Sequence, residues 1–323
     1  MNAVEISAPG GPEVLKPTER PLPVIKAHEV LIKVVAAGIN GPDIMQRKGL
    51  YPAPKGASDL PGLEVSGEIV AQGADVQRWA IGDKVVALTN GGGYAEYVAV
   101  DAGHCLSVPQ GISMVDAAGL PETFFTVWSN VFIGAGLKAG ETFLVHGGAG
   151  GIGTTCIQLG KVFGAKVIAT DSPESRCKVC KDLGADRVID YRAEDFVEVV
   201  RAEGGANVIL DIVGGPNIEK NLKAASHDAR IIQLAFAAGS KVEINLMPVM
   251  LKRLTYTGST LRTRPDAFKA RIARELEAQV WPHIASGKIR VVTHSALPLQ
   301  DAAKAHALME ASQHTGKILL KVA

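Results

Sequence analysis

Three glycines and one aspartate carry the clearest chemical signal in this chain. Gly148, Gly150 and Gly153 fit G-x-G-x-x-G, with Ala149, Gly151 and Ile152 between them. In such a turn the first glycine permits a tight bend and the second lets backbone approach a pyrophosphate. The third lets helix pack closely on strand, while N–H groups at the helix start face the phosphates. Asp171 follows Gly148 by 23 residues, near the spacing of a carboxylate that holds an adenosine ribose. The pattern predicts a dinucleotide site, the alternative being a plain structural glycine turn. Beside Ser172, two residues pull in opposite directions. Asp171 can accept both ribose hydroxyls and repels a 2′-phosphate, which favours NADH. Arg176 can pair with that phosphate, which favours NADPH. The residues lean slightly to NADH.

Other reactive residue types lack partners. Cys177 and Cys180 form C-x-x-C, but no second cysteine pair completes a zinc site, so two buried thiols on one helix are expected rather than a redox pair. His146 opens the glycine turn and His104 precedes Cys105. Neither has neighbours at metal or triad spacing, and both read as structural.

The elements that must position these residues follow from hydrophobic periodicity. Up to about residue 120 the chain reads as short strands divided by turns, at Val30–Ala37, Glu64–Gln72, Lys84–Leu88 and Tyr94–Val100. From about Ala117 helix and strand alternate, beginning with a helix over Ala117–Phe132 that contains Pro121. Strands are expected at Thr142–His146, Lys166–Thr170, Asp186–Asp190, Val208–Ile212, Arg230–Leu234 and Leu254–Gly258. Six parallel strands with helical crossovers make an α/β, doubly wound parallel (Rossmann) sheet. Helices over Phe268–Ser286 and Leu299–Ser312, with strands at Arg290–Ala296 and Lys317–Val322, close the chain. These are expected to return to the first domain, giving a β-rich domain of residues 1–120 with 267–323 and a nucleotide domain of 121–266.

Composition excludes several classes. Lysine plus arginine (34) nearly cancels aspartate plus glutamate (33), and no basic run interleaves with aromatics, so nucleic acid is not an expected partner. No apolar stretch approaches membrane-spanning length. The N-terminus lacks the basic start and apolar core of a secretion signal, so a cytoplasmic protein is expected.

The segment Gly62, Leu63, Glu64, Gly67, Gly73 and Val76 is similar to the G-H-E-x2-G-x5-G-x2-V signature of the medium-chain dehydrogenase/reductases. Residues 36–43, 91–97, 183–186 and 314–318 support the resemblance, which covers essentially the whole chain and is strongest to the zinc-free NAD(P)H:quinone oxidoreductases of the zeta-crystallin group. It implies that the β-rich domain is GroES-like. Two departures from the zinc enzymes matter. Asn40 stands where they carry a cysteine ligand, and Leu63 replaces the histidine of G-H-E; the cysteine-rich structural-zinc lobe is also missing. Leucine cannot ligate a metal and an amide is a poor zinc ligand, so no zinc is expected. Without a Lewis acid the chemistry favours acceptors already electrophilic enough to take a hydride, such as quinones and conjugated enones.

The resemblance also implies site residues. Asn40 is expected nearest the reacting oxygen, donating to a developing oxyanion or holding a water; otherwise it is a loop asparagine bonded to local backbone. Tyr51 would stack over the quinone or else pack under its loop. Asp43 is as readily structural as catalytic. Thr126 matches a threonine at the nicotinamide carboxamide, and Tyr191 a tyrosine near the adenine-side phosphate. Leu234, Ala235 and Phe236 should pass beside the nicotinamide, with Leu261 and Arg262 after the sixth strand and Lys317 as a cleft lysine. The cofactor would present its C4 toward Asn40 and Tyr51. The expected function is zinc-independent reduction of a quinone or similar conjugated carbonyl by NAD(P)H. The alternatives are an enone or enoyl-thioester reductase and a non-enzymatic, crystallin-like nucleotide binder. A homodimer through the edge strand near Leu254–Gly258 is expected.

Overall fold

The computed structural model describes residues 1–322. Its contacts divide the chain into two units, Met1–Phe125 together with the chain from Arg262 onward, and Thr126–Leu261. The boundaries thus fall at 125 and 261 rather than at the expected 120 and 266. Arg262 binds Asn90 and Gln46, which draws the segment after residue 261 into the first unit.

The first unit opens with a two-stranded antiparallel pair, β1 (Asn2–Ile6) and β2 (Leu15–Glu19). Sequence periodicity did not reveal it, because Pro17 interrupts the second strand. Next come β3 (Glu29–Gly38), helix α1 (Gly41–Arg47), β4 (Glu64–Gln72), β5 (Lys84–Leu88), β6 (Tyr97–Asp101) and β7 (Cys105–Ser107). β6 starts three residues later than expected; Tyr94 instead donates its N–H to Pro61 in a loop. The β3–β4 pair is antiparallel and carries the core, with Val30, Ile32, Val34, Val65 and Ile69 buried on it. Gly62 before β4 has φ +102°, and a Cβ there would lie 2.6 Å from the Gly93 Cα, so only glycine fits the crossing of these two loops.

Helix α2 (Met114–Ala117) is capped by the Ser113 hydroxyl, and α3 (Pro121–Val127) begins at its proline. The single helix expected over 117–132 is therefore two. Pro121 lacks the N–H an interior turn requires but fits a first turn. α3 runs into a wider π-type turn, Trp128–Gly134, in which Trp128 stacks on Phe132 at 4.8 Å.

The second unit is built on six parallel strands, β8 (Thr142–His146), β9 (Lys166–Asp171), β10 (Arg187–Asp190), β11 (Ala206–Asp211), β12 (Ala225–Gln233) and β13 (Thr255–Gly258). Their spatial order is β10-β9-β8-β11-β12-β13, the doubly wound arrangement whose chain reverses direction beside the first strand. Helices α4 (Gly151–Val162), α5 (Glu174–Asp182), α6 (Phe196–Ala202), α7 (Asn217–Ala224) and α8 (Met247–Lys252) make the crossovers. β8 is buried along its whole length, as a central parallel strand covered on both faces must be. Leu144, Ile168, Ile189, Ile209 and Ile231 form one core with Phe196 and Leu222.

The chain then rejoins the first unit through α9 (Asp266–Gln279), α10 (Trp281–Ala285), β14 (Thr293–Pro298), α11 (Ala302–Glu310) and β15 (Lys317–Lys321). The long helix expected over 268–286 breaks at Val280, because Pro282 fits only the first turn of a new helix. β15 pairs with β3 and completes the order β14-β15-β3-β4-β5-β7, with β6 on the free end of β3.

Candidate active site

The glycine turn links β8 to α4 in the second unit. Gly147 and Gly148 both donate their N–H to Thr170 O at 3.0 Å, which fixes the turn against β9. A Cβ on Gly153 would lie 2.2 Å from Gly147 O, so the start of α4 packs directly on the turn. A Cβ on Gly150 would meet nothing closer than 3.5 Å, leaving open space above that backbone. Gly150 caps α4 without a side chain, so the first N–H groups of the helix are left for an external acceptor.

Asp171 closes β9, is 3% exposed and gathers four donors. Ala149 N–H donates at 2.7 Å and Ser172 N–H at 2.8 Å; Arg176 adds its Nε at 2.6 Å and Nη2 at 3.2 Å. The two residues expected to compete over the coenzyme are thus joined in one ion pair. The Ser172 hydroxyl beside them is buried with no hydrogen-bond partner, an unmet polar atom where a ribose or its phosphate would add one. Together the open Gly150, the uncapped helix start and the orphaned Ser172 hydroxyl fit an adenosine dinucleotide. Tyr191 follows β10 and is half-exposed. After β12, Leu234 donates its N–H to Asp211 O at 2.9 Å, while Ala235 and Phe236 are exposed. Thr126 is half-buried on α3, its carbonyl accepting from Asn130 at 2.8 Å.

His146, Cys177 and Cys180 are structural in this unit. His146 is buried between Thr170 Oγ1 and Asn221 Oδ1, each at 2.8 Å, and burial holds its ring below its ordinary pKa. Cys180 is buried and its thiol is pushed up to about 12 by burial. Cys177, expected to be buried, is only half-buried and sets its thiol against Asp171 O at 3.3 Å, because it lies one turn nearer the open end of the strand. Neither is held as a reactive thiolate.

In the first unit, polar side chains converge where β3, α1, β4 and β15 meet. Asn40 caps α1 and is 5% exposed. Lys317 Nζ donates to Asn40 Oδ1 at 2.6 Å and to Ile39 O at 3.0 Å, and pairs with Glu64 Oε1 at 2.6 Å. Lysine only donates, so the amide orientation is fixed with its oxygen toward Lys317. Asn40 Nδ2 then donates one hydrogen to Glu64 Oε1 at 2.9 Å, and among the described residues the other has no acceptor. Glu64 is fully buried, its second oxygen accepting from Glu122 N–H at 2.8 Å. Asp43, also fully buried, accepts from Asn40 N–H at 2.8 Å and Gly62 N–H at 2.9 Å. Burial pushes its carboxyl up to about 6, opposed by those two N–H groups and by Lys317.

Lys317, expected as a cleft lysine for the cofactor, has all three donors committed within this network. Arg262 is likewise held in the first unit, by Asn90 O at 2.6 and 3.0 Å and Gln46 Oε1 at 2.8 Å. Its guanidinium stands 5.7 Å from the ring of Tyr51, so the structure brings these two expected residues together. Leu261, the last residue of the second unit, is buried. Sequence reasoning did not single out Glu64, although it sits inside the G-L-E motif. Among the described residues no group of three His, Cys, Asp or Glu side chains is placed to hold a metal, and Leu63 is buried.

Comparison with known proteins adds to this geometry. Residues 26–110 match the alcohol dehydrogenase GroES-like domain and 151–278 the zinc-binding dehydrogenase domain. The human quinone oxidoreductase is 32% identical, over 99% of this chain and 97% of that protein. The chain belongs to the quinone oxidoreductase family. The crystal structure of Escherichia coli quinone oxidoreductase complexed with NADPH superposes with a TM-score of 0.89 at 29% identity, covering all of both chains. An NAD-dependent alcohol dehydrogenase superposes equally well, at 31% identity over all of both chains. The β-rich and doubly wound parts expected from the sequence are thus those of this family.

Proposed function

We propose that the protein is a zinc-independent oxidoreductase that passes reducing equivalents from NAD(P)H to a quinone or similar conjugated carbonyl. The observation that carries this reading is the Asn40 amide. Lys317 fixes its orientation and Glu64 takes one of its hydrogens, leaving a rigid N–H donor in a buried setting. Such a donor stabilises charge developing on an acceptor oxygen without reorganising. When bound, the reduced nicotinamide supplies the hydride. The chain's own residues bind and orient. The glycine turn and α4 hold the pyrophosphate, Ser172 and Asp171 the adenosine ribose, and Tyr191, Thr126, Leu234, Ala235, Phe236 and Leu261 the remaining coenzyme surface. Tyr51, with Arg262 behind its ring, offers an aromatic face to a flat acceptor.

NADH is the preferred coenzyme in this reading, because the Asp171 carboxylate is buried and held by backbone. NADPH is accepted when Arg176 turns from Asp171 to the 2′-phosphate. Paired steady-state oxidation of NADH and NADPH with benzoquinone and phenanthrenequinone, in EDTA, tests both points. Metal-independent turnover with NADH ahead is expected. Coenzyme binding with no turnover of either quinone, or of an enone, would sink the enzymatic reading.

The protein also pairs with a second copy through β13. All four residues of this edge strand are exposed, and beside it α8 presents Met247, Met250 and Leu251, the last two more than 60% exposed. Light scattering should show a dimer for the parent and a monomer for Met250→Glu; a monomeric parent at micromolar concentration would contradict the pairing.

A further inference from the structure

Asp211 ends β11 and is fully buried, yet it has no task in the scheme above. Its Oδ1 accepts from Val213 N–H at 2.6 Å and Gly214 N–H at 3.0 Å, and its Oδ2 from Asn221 Nδ2 at 2.9 Å. All three partners donate, which suits a carboxylate and leaves a carboxyl proton no acceptor. Among the described residues no lysine or arginine pairs with it, so this negative charge is buried without an ion-pair partner. Hydrogen bonding alone does not require that charge. Asn221 also faces His146, whose Nε2 lies 2.8 Å from Asn221 Oδ1 and whose Nδ1 lies 2.8 Å from Thr170 Oγ1. Amide, imidazole and hydroxyl can all reverse direction, the ring by moving its proton from Nε2 to Nδ1. An asparagine at 211 would therefore keep every one of these bonds, with the Asn221 amide turned over. What the chain of bonds leaves without a use is the charge itself.

The place of Asp211 in the sheet supplies one. β11 lies beside β8, where the strand order reverses, and opens the second half of the sheet, β11-β12-β13. In a doubly wound sheet the ligand crosses the carboxyl ends of the strands at this point. With the glycine turn after β8 on the pyrophosphate, the ends of β11 and β12 receive the nicotinamide half. The loops that follow those two strands are stitched together there. Ala238 N–H donates to Val213 O at 2.7 Å, Gly215 N–H to Gly239 O at 2.8 Å, and Leu234 N–H to Asp211 O at 2.9 Å. Gly214 has φ +66°, and a Cβ on it would lie 2.8 Å from Phe236 Cδ1. Asp211 thus lies at the base of the segment that carries Ala235 and Phe236.

We propose that Asp211 is a buried counter-charge for the oxidised nicotinamide ring, set beneath the loops at the ends of β11 and β12. The proposal rests on the coenzyme reading given above. Loss of a hydride to the acceptor leaves that ring with one positive charge, which a fixed carboxylate in a buried setting favours. The reduced ring is neutral and gains nothing from it. Asp211 therefore biases the bound couple toward giving up its hydride.

The test uses the full chain with Asp211→Asn and measures dissociation constants for NAD⁺, NADH and ADP-ribose by calorimetry at neutral pH. One unit charge at an effective dielectric constant of about 20 should change the ratio of NAD⁺ to NADH affinity about tenfold. Asp211→Asn should therefore weaken NAD⁺ about tenfold and leave NADH within about twofold of the parent. ADP-ribose, which lacks the ring, should bind parent and variant alike. An unmoved ratio overturns the proposal, whether both forms bind as before or both weaken together. The second of these results would mean that Asp211 only shapes the loops. Should Asp211→Asn fail to fold, Asp211→Ser offers the same N–H groups a shorter neutral acceptor, and its ratio decides by the same criterion. A parent that binds neither coenzyme would overturn the coenzyme reading and this inference with it. A parent that binds both, with the ratio unmoved in the variant, overturns this inference alone.

Discussion

Asn40→Ala removes one rigid N–H donor and, with it, the acceptor of one Lys317 hydrogen. Lys317 and Glu64 remain paired directly at 2.6 Å, so no buried charge is stranded by the truncation. The Asn40 N–H to Asp43 bond is backbone and survives. Deleting a single preorganised donor to an oxyanion costs about 2.7–4 kcal/mol where the charge is localised, or roughly a hundred- to a thousandfold in kcat. In a quinone the charge spreads over the ring, and the same donor should contribute nearer 1.4 kcal/mol, about tenfold. The structure therefore predicts a graded effect: about tenfold on kcat with an easily reduced quinone, and about a hundredfold with an enone if one is turned over. The glycine turn, Asp171 and Ser172 are untouched, so coenzyme affinity should stay within about twofold. Stopped-flow measurement of the hydride step, with coenzyme binding followed separately by fluorescence, isolates the chemistry from product release. An equal loss with both acceptors, or a loss confined to KM for the coenzyme, would refute the donor argument.

Three further outcomes follow from the same geometry. Gly150→Ala adds a Cβ with no neighbour inside 3.5 Å, so it should fold like the parent yet bind either coenzyme about tenfold more weakly; Gly153→Ala drives its Cβ to 2.2 Å from Gly147 O and should cost about 2 kcal/mol or more in urea denaturation. Equal stability of the two variants would contradict the turn geometry. Arg176→Ala should lower kcat/KM for NADPH about tenfold while leaving NADH within about threefold, and a matched loss for both would show that Arg176 serves only to hold Asp171. Asp43, raised from 3.8 to about 6, favours the folded state below its unfolded pKa, and this contribution of about 3 kcal/mol is lost as pH rises through about 6. Relative to Asp43→Asn, the parent should therefore lose stability between about pH 4 and about pH 7 in urea titrations, and parallel curves would remove Asp43 as the titrating group.

What the sequence made legible was whatever is decided over short separations. The glycine turn and Asp171 lie within one strand–helix–strand unit, and steric rules within that unit nearly dictate their arrangement, down to the Ala149 N–H on Asp171. The central parallel strands were readable for the same reason, since β8, β9 and β11 each contain a run of three buried apolar residues. The helices expected over 117–132 and 268–286 exceed the observed ones because hydrophobic period carries across Pro121 and Val280, although backbone hydrogen bonding does not. Charge pairing left no trace of that kind, even between Asp171 and Arg176 five residues apart. Nothing near Asp171 announces that Arg176 will neutralise it rather than await a phosphate, because both outcomes need the same two residues at the same spacing.

The polar network of the first unit sharpens this distinction. Glu64 lies 24 residues from Asn40, Lys317 lies 277 away, and His306 lies 259 from Arg47. Each is a residue type found on any protein surface, and no local rule separates a buried lysine from a solvated one. Its meaning appears only when β15 pairs with β3 and carries Lys317 beneath Asn40. Burying the Lys317–Glu64 pair costs desolvation that ion pairing alone does not reliably offset. Asn40 gives that arrangement a use, because a donor-only lysine on one side and a carboxylate on the other permit the amide a single orientation. Replacing both charges by isosteric apolar residues (Lys317→Met with Glu64→Leu) should therefore leave the fold as stable as the parent or more so, within about 1 kcal/mol on the unfavourable side, while lowering kcat as far as Asn40→Ala does. Retained turnover in that double variant would mean that Asn40 does not need its orientation fixed, and the pair would then have no account in the reaction.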